Sequence, residues 1–174
     1  MEEQRYCSMK KVLSPKHTLI STQHYPWRIH PSTRTPISHR HKAIIGIGGN
    51  IGDVSRRFEH LFWFLKRSNS VTIIETTPLL QNPPFGFINQ NDFHNALLLI
   101  HTSLTPKKLL MYLLHVEKKF GRKRSMPNAP RTLDLDIIFY NNIKIDSKEL
   151  TIPHPQWIYR DSVLIPLSLM KGQS

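Results

Sequence analysis

Asn128-Ala129-Pro130-Arg131-Thr132-Leu133-Asp134-Leu135-Asp136-Ile137-Ile138-Phe139 is the stretch around which the rest of the chain can be ordered. Strand alternation puts Leu133, Leu135, Ile137 and Phe139 on one face, with Thr132, Asp134 and Asp136 on the other. One face can be buried while the other presents two carboxylates. Their Cα atoms would lie about 6.6 Å apart at strand rise. Such a pair can grip two divalent cations about 3.5–4 Å apart. Taken alone, the pattern has a commoner reading, the solvated face of an antiparallel strand, so the neighbouring sequence must decide.

Upstream, Thr105-Pro106 reads as an N-cap and first-turn pair, and Leu109, Leu113, Val116 and Phe120 follow at helical spacing up to Gly121, a natural C-terminal stop. The helix empties into a basic loop whose Arg122, Lys123, Arg124 and Arg131 flank the acidic strand. These cations either form a solvated charge run or clamp a polyphosphate opposite the acids, the arginine forks suiting phosphate geometry. Before that helix, Phe93, Asn95, Leu97 and Leu99 share one face of a strand, with His94, Ala96 and Leu98 on the other. An aromatic beside an amide suits a flat heterocycle, although a core aromatic with a satisfied amide is the more frequent outcome. Residues 81–90, containing Pro83, Pro84 and Gly86, read as a long loop without regular structure, a candidate lid or binding loop.

Further back, Val71–Thr76 is a strand by its β-branched content. Ala43–Ile47 is a buried strand leading through Gly48-Gly49-Asn50-Ile51-Gly52 into a helix. Asp53 is its expected N-cap, and Val54, Phe58, Leu61, Phe62 and Leu65 form one apolar stripe. The glycine turn lacks the lysine and spacing of a P-loop and is a weak phosphate signal. Downstream, a short strand is expected over 143–145. Thr151-Ile152-Pro153-His154-Pro155 is a rigid extended segment in which His154 could donate to a phosphate, though a lone histidine is more often structural. Arg160 falls in a short helix, and Val163, Leu164, Leu167 and Leu169 supply a last apolar patch.

With 174 residues the chain can bury a sizeable core. Its 24 Lys and Arg against 12 Asp and Glu give a net charge of +12, which points to an anionic partner: nucleic acid, an anionic surface or a polyphosphate nucleotide. Cys7 is the single cysteine, so there is no intrachain disulfide framework, and no apolar run approaches membrane-spanning length. A cytoplasmic location and no membrane association are expected. Residues 1–42 carry a net +6, four prolines, five histidines and no apolar periodicity. They are expected to be a basic, poorly ordered tail on a single domain spanning 43–174.

From Ala43 the order strand, helix, strand, strand, helix, strand matches an α+β, ferredoxin-like βαββαβ core: an antiparallel sheet with helices on one face, plus short C-terminal additions. Pro130-Arg131-Thr132-Leu133-Asp134-Leu135-Asp136 resembles the P-R-T-[LI]-D-[LI]-D signature of the 6-hydroxymethyl-7,8-dihydropterin pyrophosphokinases. Gly121-Arg122, Pro153-His154-Pro155, and Pro83-Pro84-x-Gly followed by Phe93-x-Asn95-Ala96 fall in that family's order. The resemblance covers roughly residues 43–170.

It implies transfer of the β,γ-pyrophosphoryl unit of ATP to the pterin hydroxymethyl oxygen, with release of AMP, in folate biosynthesis. It implies that Asp134 and Asp136 hold two Mg²⁺ ions and, with Arg122 and Arg131, form the catalytic set. Arg122, Arg124, Arg131, His154 and Arg160 would bind the ATP phosphates, and Ile137 and Thr151 would line the adenosine site. Asn82, Pro83, Phe85, Phe93 and Asn95 would take the pterin. A monomer whose partners are ATP and a reduced pterin, not nucleic acid, is expected. Two departures stand out: Gly49 occupies a position where the family often has serine, and Ser162 one where many members carry an aromatic wall of the pterin pocket. A nucleic-acid-binding domain of the same fold and a different metal-dependent phosphoryl transferase are the competing readings. The first lacks an aromatic RNA-binding signature, and its paired acids would repel a phosphate backbone.

Overall fold

The computed structural model describes residues 8–86, 88–123 and 129–172. Along the chain these form β1 (Met9–Ser14), β2 (His17–Ser21), β3 (Trp27–Arg28), β4 (His41–Gly49), α1 (Val54–Lys66), β5 (Val71–Thr76), β6 (Leu79–Asn82), β7 (Phe93–Thr102), α2 (Pro106–Lys119), β8 (Asp134–Tyr140), β9 (Ile145–Asp146) and β10 (Thr151–Ile152). A 3-10 turn, Trp157–Tyr159, and α3, Asp161–Leu169, complete the order. The architecture is mixed α and β, with a large sheet whose strand pairs are antiparallel.

β4 is the hinge of the sheet, pairing with β8 on one side and β7 on the other. On its far edge β7 pairs first with β6 and then with β5. The break between them is Thr77-Pro78, where proline has no N–H to offer. Thr77 spans the gap itself: its N–H donates to Leu97 O (3.0 Å) and its Oγ1 accepts from Leu97 N (2.9 Å).

α1 forms where its apolar spacing predicts. Asp53 caps it by accepting from Arg56 N at 3.0 Å, and Val54, Phe58, Leu61, Phe62 and Leu65 are buried. α2 starts at Pro106 and buries Leu109, Leu113 and Val116 on the same core. This core lies against Ile45, Ile47, Ala96, Leu98, Leu133, Leu135 and Ile137. The opposite sheet face carries a smaller core of Ile44, Leu97, Leu99, Ile138, Val163 and Met170, covered by α3 and its flanks. Removing a ring such as Phe58, which is fully buried, would cost about 3–5 kcal/mol.

Three expectations are corrected. Residues 8–42 are not a poorly ordered tail. β1 and β2 form a hairpin, β2 pairs with β6, and β3 pairs with β5. The physical reason lies in the partner strands. Consecutive Leu79 and Leu80 are both fully buried, so this edge needs a neighbour as well as cover on both faces. β2 supplies it, burying Leu19 and Ile20. Tyr25 then packs on Phe58 and Phe62 and donates to Phe58 O (2.9 Å), while His24 and Thr22 both meet the buried Glu59 carboxylate of α1. These short segments are polar because most of the apolar surface they bury belongs to other elements.

The second correction concerns Phe139. The β4–β8 register shifts between Ile44 and Ile45, whose partners are Phe139 and Ile137. This bulge at Ile138 turns Phe139 away from the Leu135–Ile137 core to the aspartate face, where it packs edge-on against Trp157 at 4.9 Å. Third, β6 takes the first two residues of the expected 81–90 loop, with Pro83 ending the strand. Smaller shifts occur near the C-terminus: β9 begins at Ile145, and Leu164 and Leu169 are exposed while Val163, Pro166 and Met170 are buried.

Candidate active site

Two glycines of β4 make the floor. Gly48 is paired with Asn95 of β7 on one side and with Asp134 of β8 on the other, and Gly46 stands across from Asp136. A Cβ on Gly48 would come within 2.8 Å of Asn95 Oδ1 and 3.9 Å of Asp134 Cβ; one on Gly46 would meet Ile138 at 3.1 Å. The missing side chains leave a trough with an amide on one bank and two carboxylates on the other.

Arg122 reaches this trough because of how α2 ends. Gly121 adopts φ +79°, Gly121 N donates to Lys118 O (3.1 Å), and Arg122 N donates to Glu117 O (3.0 Å). This left-handed reversal sends Arg122 back to β8, where its guanidinium donates to Leu133 O (2.9 Å) and Asp134 Oδ1 (2.7 Å). Arg131 grips the other oxygen of the same carboxylate. The Asp134 side chain is only 20% exposed. The carboxylate face is therefore occupied by cations and covered by the C-terminal segment, in place of the open solvated face that alternation allowed.

Asp136 is different. No charged or polar partner reaches its carboxylate among the described residues, and its pKa is pushed up to about 7, first by burial and then by the negative charges of Asp134 and Glu117. Arg160 and Arg131 oppose that rise without cancelling it. Glu117 is itself buried and accepts from Leu135 N at 2.8 Å, fixing α2 to the acidic strand.

Among the described residues, His154 and Arg160, the others expected on the phosphate side, lie near this pair. His154 N donates to Ile138 O (3.0 Å), docking the extended segment on the bulge, and burial first, then Arg160, lower the His154 pKa. Arg160 donates from Nη2 to Gln156 Oε1 (2.7 Å), while its Nε is buried with no partner among the described residues. Toward β6 and β7, Asn95 Nδ2 donates to Asn82 Oδ1 (2.8 Å), and Asn82 Nδ2 to Pro83 O (2.9 Å). Arg131 lies over the Phe93 ring at 5.3 Å, and Arg160 over Phe85 at 5.9 Å. Each of these two arginines thus touches an aromatic of the expected acceptor side.

Arg122, Arg131, Asp134, Phe93, Asn95 and Asn82 are therefore linked by contacts, and Arg160 is near enough to bias both Asp136 and His154 electrostatically. Ile137 is not brought there by its side chain, which is buried in the main core on the opposite face. Thr151 lies half-buried in the β9–β10 pair, opposite Asp146. Arg124 lies outside the described residues.

Asn50 is a member that sequence reading passed over. Only 4% exposed, it donates from Nδ2 to Gln90 Oε1 (2.9 Å) and Asn91 O (3.0 Å) and brackets Arg131 through its own main chain and side chain. Gly46 and Gly48 were also missed. Their one sequence signal is the alternating Gly46-Ile47-Gly48, which clears one face of a buried strand.

Paired carboxylates among arginines, next to an aromatic ring and two amides, are chemically suited to a phosphate-bearing anion and a flat polar ring. Residues 44–171 match the family model described as 7,8-dihydro-6-hydroxymethylpterin-pyrophosphokinase. The chain is 36% identical over 132 residues to a Helicobacter pylori 2-amino-4-hydroxy-6-hydroxymethyldihydropteridine pyrophosphokinase, covering 75% of this chain and 81% of that protein. It is 41% identical over 133 residues to the protein of the same name from Campylobacter jejuni, covering 76% and 85%. It is also 34% identical over 137 residues to an Arabidopsis thaliana mitochondrial folate synthesis bifunctional protein, covering 79% of this chain and 24% of that longer one. The chain belongs to this family of pyrophosphokinases, transferases of folate biosynthesis.

Proposed function

We propose that the protein transfers the β,γ-pyrophosphoryl unit of ATP to the hydroxymethyl oxygen of 6-hydroxymethyl-7,8-dihydropterin, releasing AMP, as a Mg²⁺-dependent monomer in the cytoplasm. The observation that carries this reading is the shared row Asn95–Gly48–Asp134, which puts the Asn95 amide beside the arginine-held carboxylate across a side-chain-free floor. The strand order β5-β7-β4-β8, all antiparallel with α1 and α2 on one face, supports a ferredoxin-like core for residues 43–174.

Magnesium fits the residues present. Asp136 is a half-buried carboxylate without a cationic partner in contact among the described residues, next to Asp134, and Mg²⁺ is commonly held by one or two carboxylates plus substrate phosphates. Asp134 and Asp136 would hold the metal, two ions in our reading, which would neutralise phosphate charge as the bond to the β-phosphorus forms.

The chain's own residues do the rest. Arg122 and Arg131, with Arg160 and His154 beyond them, hold the triphosphate and stabilise charge that builds on its oxygens. Phe93 offers its ring and Asn95 its amide to the pterin, with Asn82 fixing that amide and Pro83 and Phe85 forming the loop side. Arg124 joins the phosphate contacts, and Thr151 and the main chain at Ile137 the adenosine side. Attack by the hydroxymethyl oxygen breaks the bond between the α- and β-phosphates, and its proton passes to a nearby carboxylate, for which Asp136 is our candidate.

Incubation with ATP, Mg²⁺ and the hydroxymethyl dihydropterin should yield AMP and the pterin pyrophosphate in equal amounts. ADP as the nucleotide product, or AMP formed equally well without pterin, would overturn the reading.

A further inference from the structure

The family match begins at residue 44, yet the strands before it reach the acceptor side of the site. β2 pairs with β6 at Thr18–Gln81, Leu19–Leu80 and Ile20–Leu79, so one further step along that register sets His17 across from Asn82. Asn82 is in turn paired with Phe93 of β7. Residues directly opposite in an antiparallel sheet point to the same face. His17, Asn82 and Phe93 consequently form one row, on the face that α3 covers.

His17 is used there. Ser14 Oγ lies 3.0 Å from Nδ1, which orients the ring and leaves Nε2 for Asp161 Oδ2 at 3.3 Å. Asp161 opens the first turn of α3, between Arg160 and Ser162. The Arg160 carbonyl accepts from Val163 N and Leu164 N, both at 2.9 Å, so Arg160 is the residue on which α3 begins. Nothing else among the described side chains bonds Asp161 across to the sheet. The position therefore joins three things: an added strand, the rim of the acceptor pocket, and the helix start that carries a phosphate-side arginine.

We propose that His17 is a positioning residue for the acceptor site: through Asp161 it holds the first turn of α3, and with it Arg160, against the Asn82–Phe93 rim. The hairpin β1–β2 is then a wall of this enzyme's pterin pocket, contributed from outside the region the family shares. This rests on the reaction proposed above. The carboxylate is largely exposed, at 64% of its side chain, so the pair's effect is modest and acts on geometry more than on stability.

The test uses the full chain with His17→Ala, Asp161→Asn, the double variant and His17→Gln, which keeps a donor near the Nε2 position. Each single loss should raise KM for the pterin about two- to fivefold, the range such a pair supports. The double variant should be no worse than the weaker single, kcat should stay within about twofold of wild type, and His17→Gln should recover much of the loss. An unchanged pterin KM, multiplying effects in the double variant, or a kcat that falls in step with the folded fraction would overturn the role. Asp161→Asn reads the same contact from an exposed residue should His17→Ala fold poorly. Calorimetric pterin affinity in the presence of a non-hydrolysable ATP analogue separates the two claims. A wild type that makes no AMP refutes the reaction, whereas equal affinities of wild type and His17→Ala refute the positioning.

Discussion

Asn50 and Arg131 hold each other twice: Asn50 N donates to Arg131 O (3.0 Å), and Arg131 N donates to Asn50 Oδ1 (2.9 Å). The same amide donates to Gln90 and Asn91, so one buried side chain ties the loop before β7 to the main chain of Arg131, which grips Asp134. Asn50→Ala removes three of these bonds and leaves buried groups unpaired. Stability should fall by about 1–3 kcal/mol in urea titration. kcat/KM should fall further than the folded fraction does, because Arg131 loses its bracket. Retention of wild-type kcat/KM would show that Arg131 is placed by its contact with Asp134 alone.

Gly48→Ala tests the trough. The added methyl would stand 2.8 Å from Asn95 Oδ1, and Asn95 cannot swing freely because it is bonded to Asn82. Pterin KM should rise about tenfold or more, in keeping with a misplaced hydrogen-bonding group in a polar pocket. ATP affinity, measured by titration without pterin, should change little. Equal losses for both ligands would mean that the floor serves the nucleotide as well.

Asp136→Asn should stabilise the metal-free protein as pH rises. The native carboxyl has its pKa pushed up to about 7, against about 3.9 in the unfolded chain, so between those values the native state holds a proton that the unfolded state has released. Wild type therefore loses stability as pH climbs from about 4 to about 7, at a limiting slope of about 1.4 kcal/mol per unit, and the Asn variant escapes this loss. Thermal melts in EDTA should show a gap in favour of the variant that widens up to about pH 7 and then levels off. Mg²⁺ should narrow it while the variant stays inactive. Parallel curves across this range would contradict the burial argument.

Gly121 should rank its replacements by their tolerance of a left-handed backbone. At φ +79° an alanine costs about 1–2 kcal/mol, while asparagine is milder. Because the reversal delivers Arg122 to Asp134, kcat should fall in the order Gly, Asn, Ala, with Tm following the same order. A full kcat for Gly121→Ala would show that Arg122 finds Asp134 without the helix cap.

Features carried by local pattern were legible in the sequence. The apolar stripes of α1 and α2, the Asp53 cap and the alternation through Asp134 and Asp136 each depend on residues a few positions apart. Features set by registry between strands were not. Gly48 matters because Asn95 and Asp134 flank it, and Asn50 because Arg131 and Asn91 converge on it, relations that no single segment encodes. Phe139 left its expected face because of a one-residue bulge. The sequence of β1–β3 reads as tail because its burial is borrowed: the demand for cover resides in Leu79, Leu80 and α1, whereas the strands that answer it are short and carry few apolar residues of their own.

The pairing of β2 with β6 also fixes an order of events during synthesis. Thr18 leaves the ribosome well before its partner Gln81 exists. At about 5–20 residues per second the early hairpin waits roughly 3–12 seconds for β6. Throughout that interval Leu19 and Ile20 lack their strand partners Leu80 and Leu79, and Glu59 of α1 is made before the Thr76 that finishes seating His24. The β1–β2 hairpin is thus translated before the sheet edge on which it docks. Slow translation through residues 60–80 lengthens the time in which it can be captured by a chaperone or a protease.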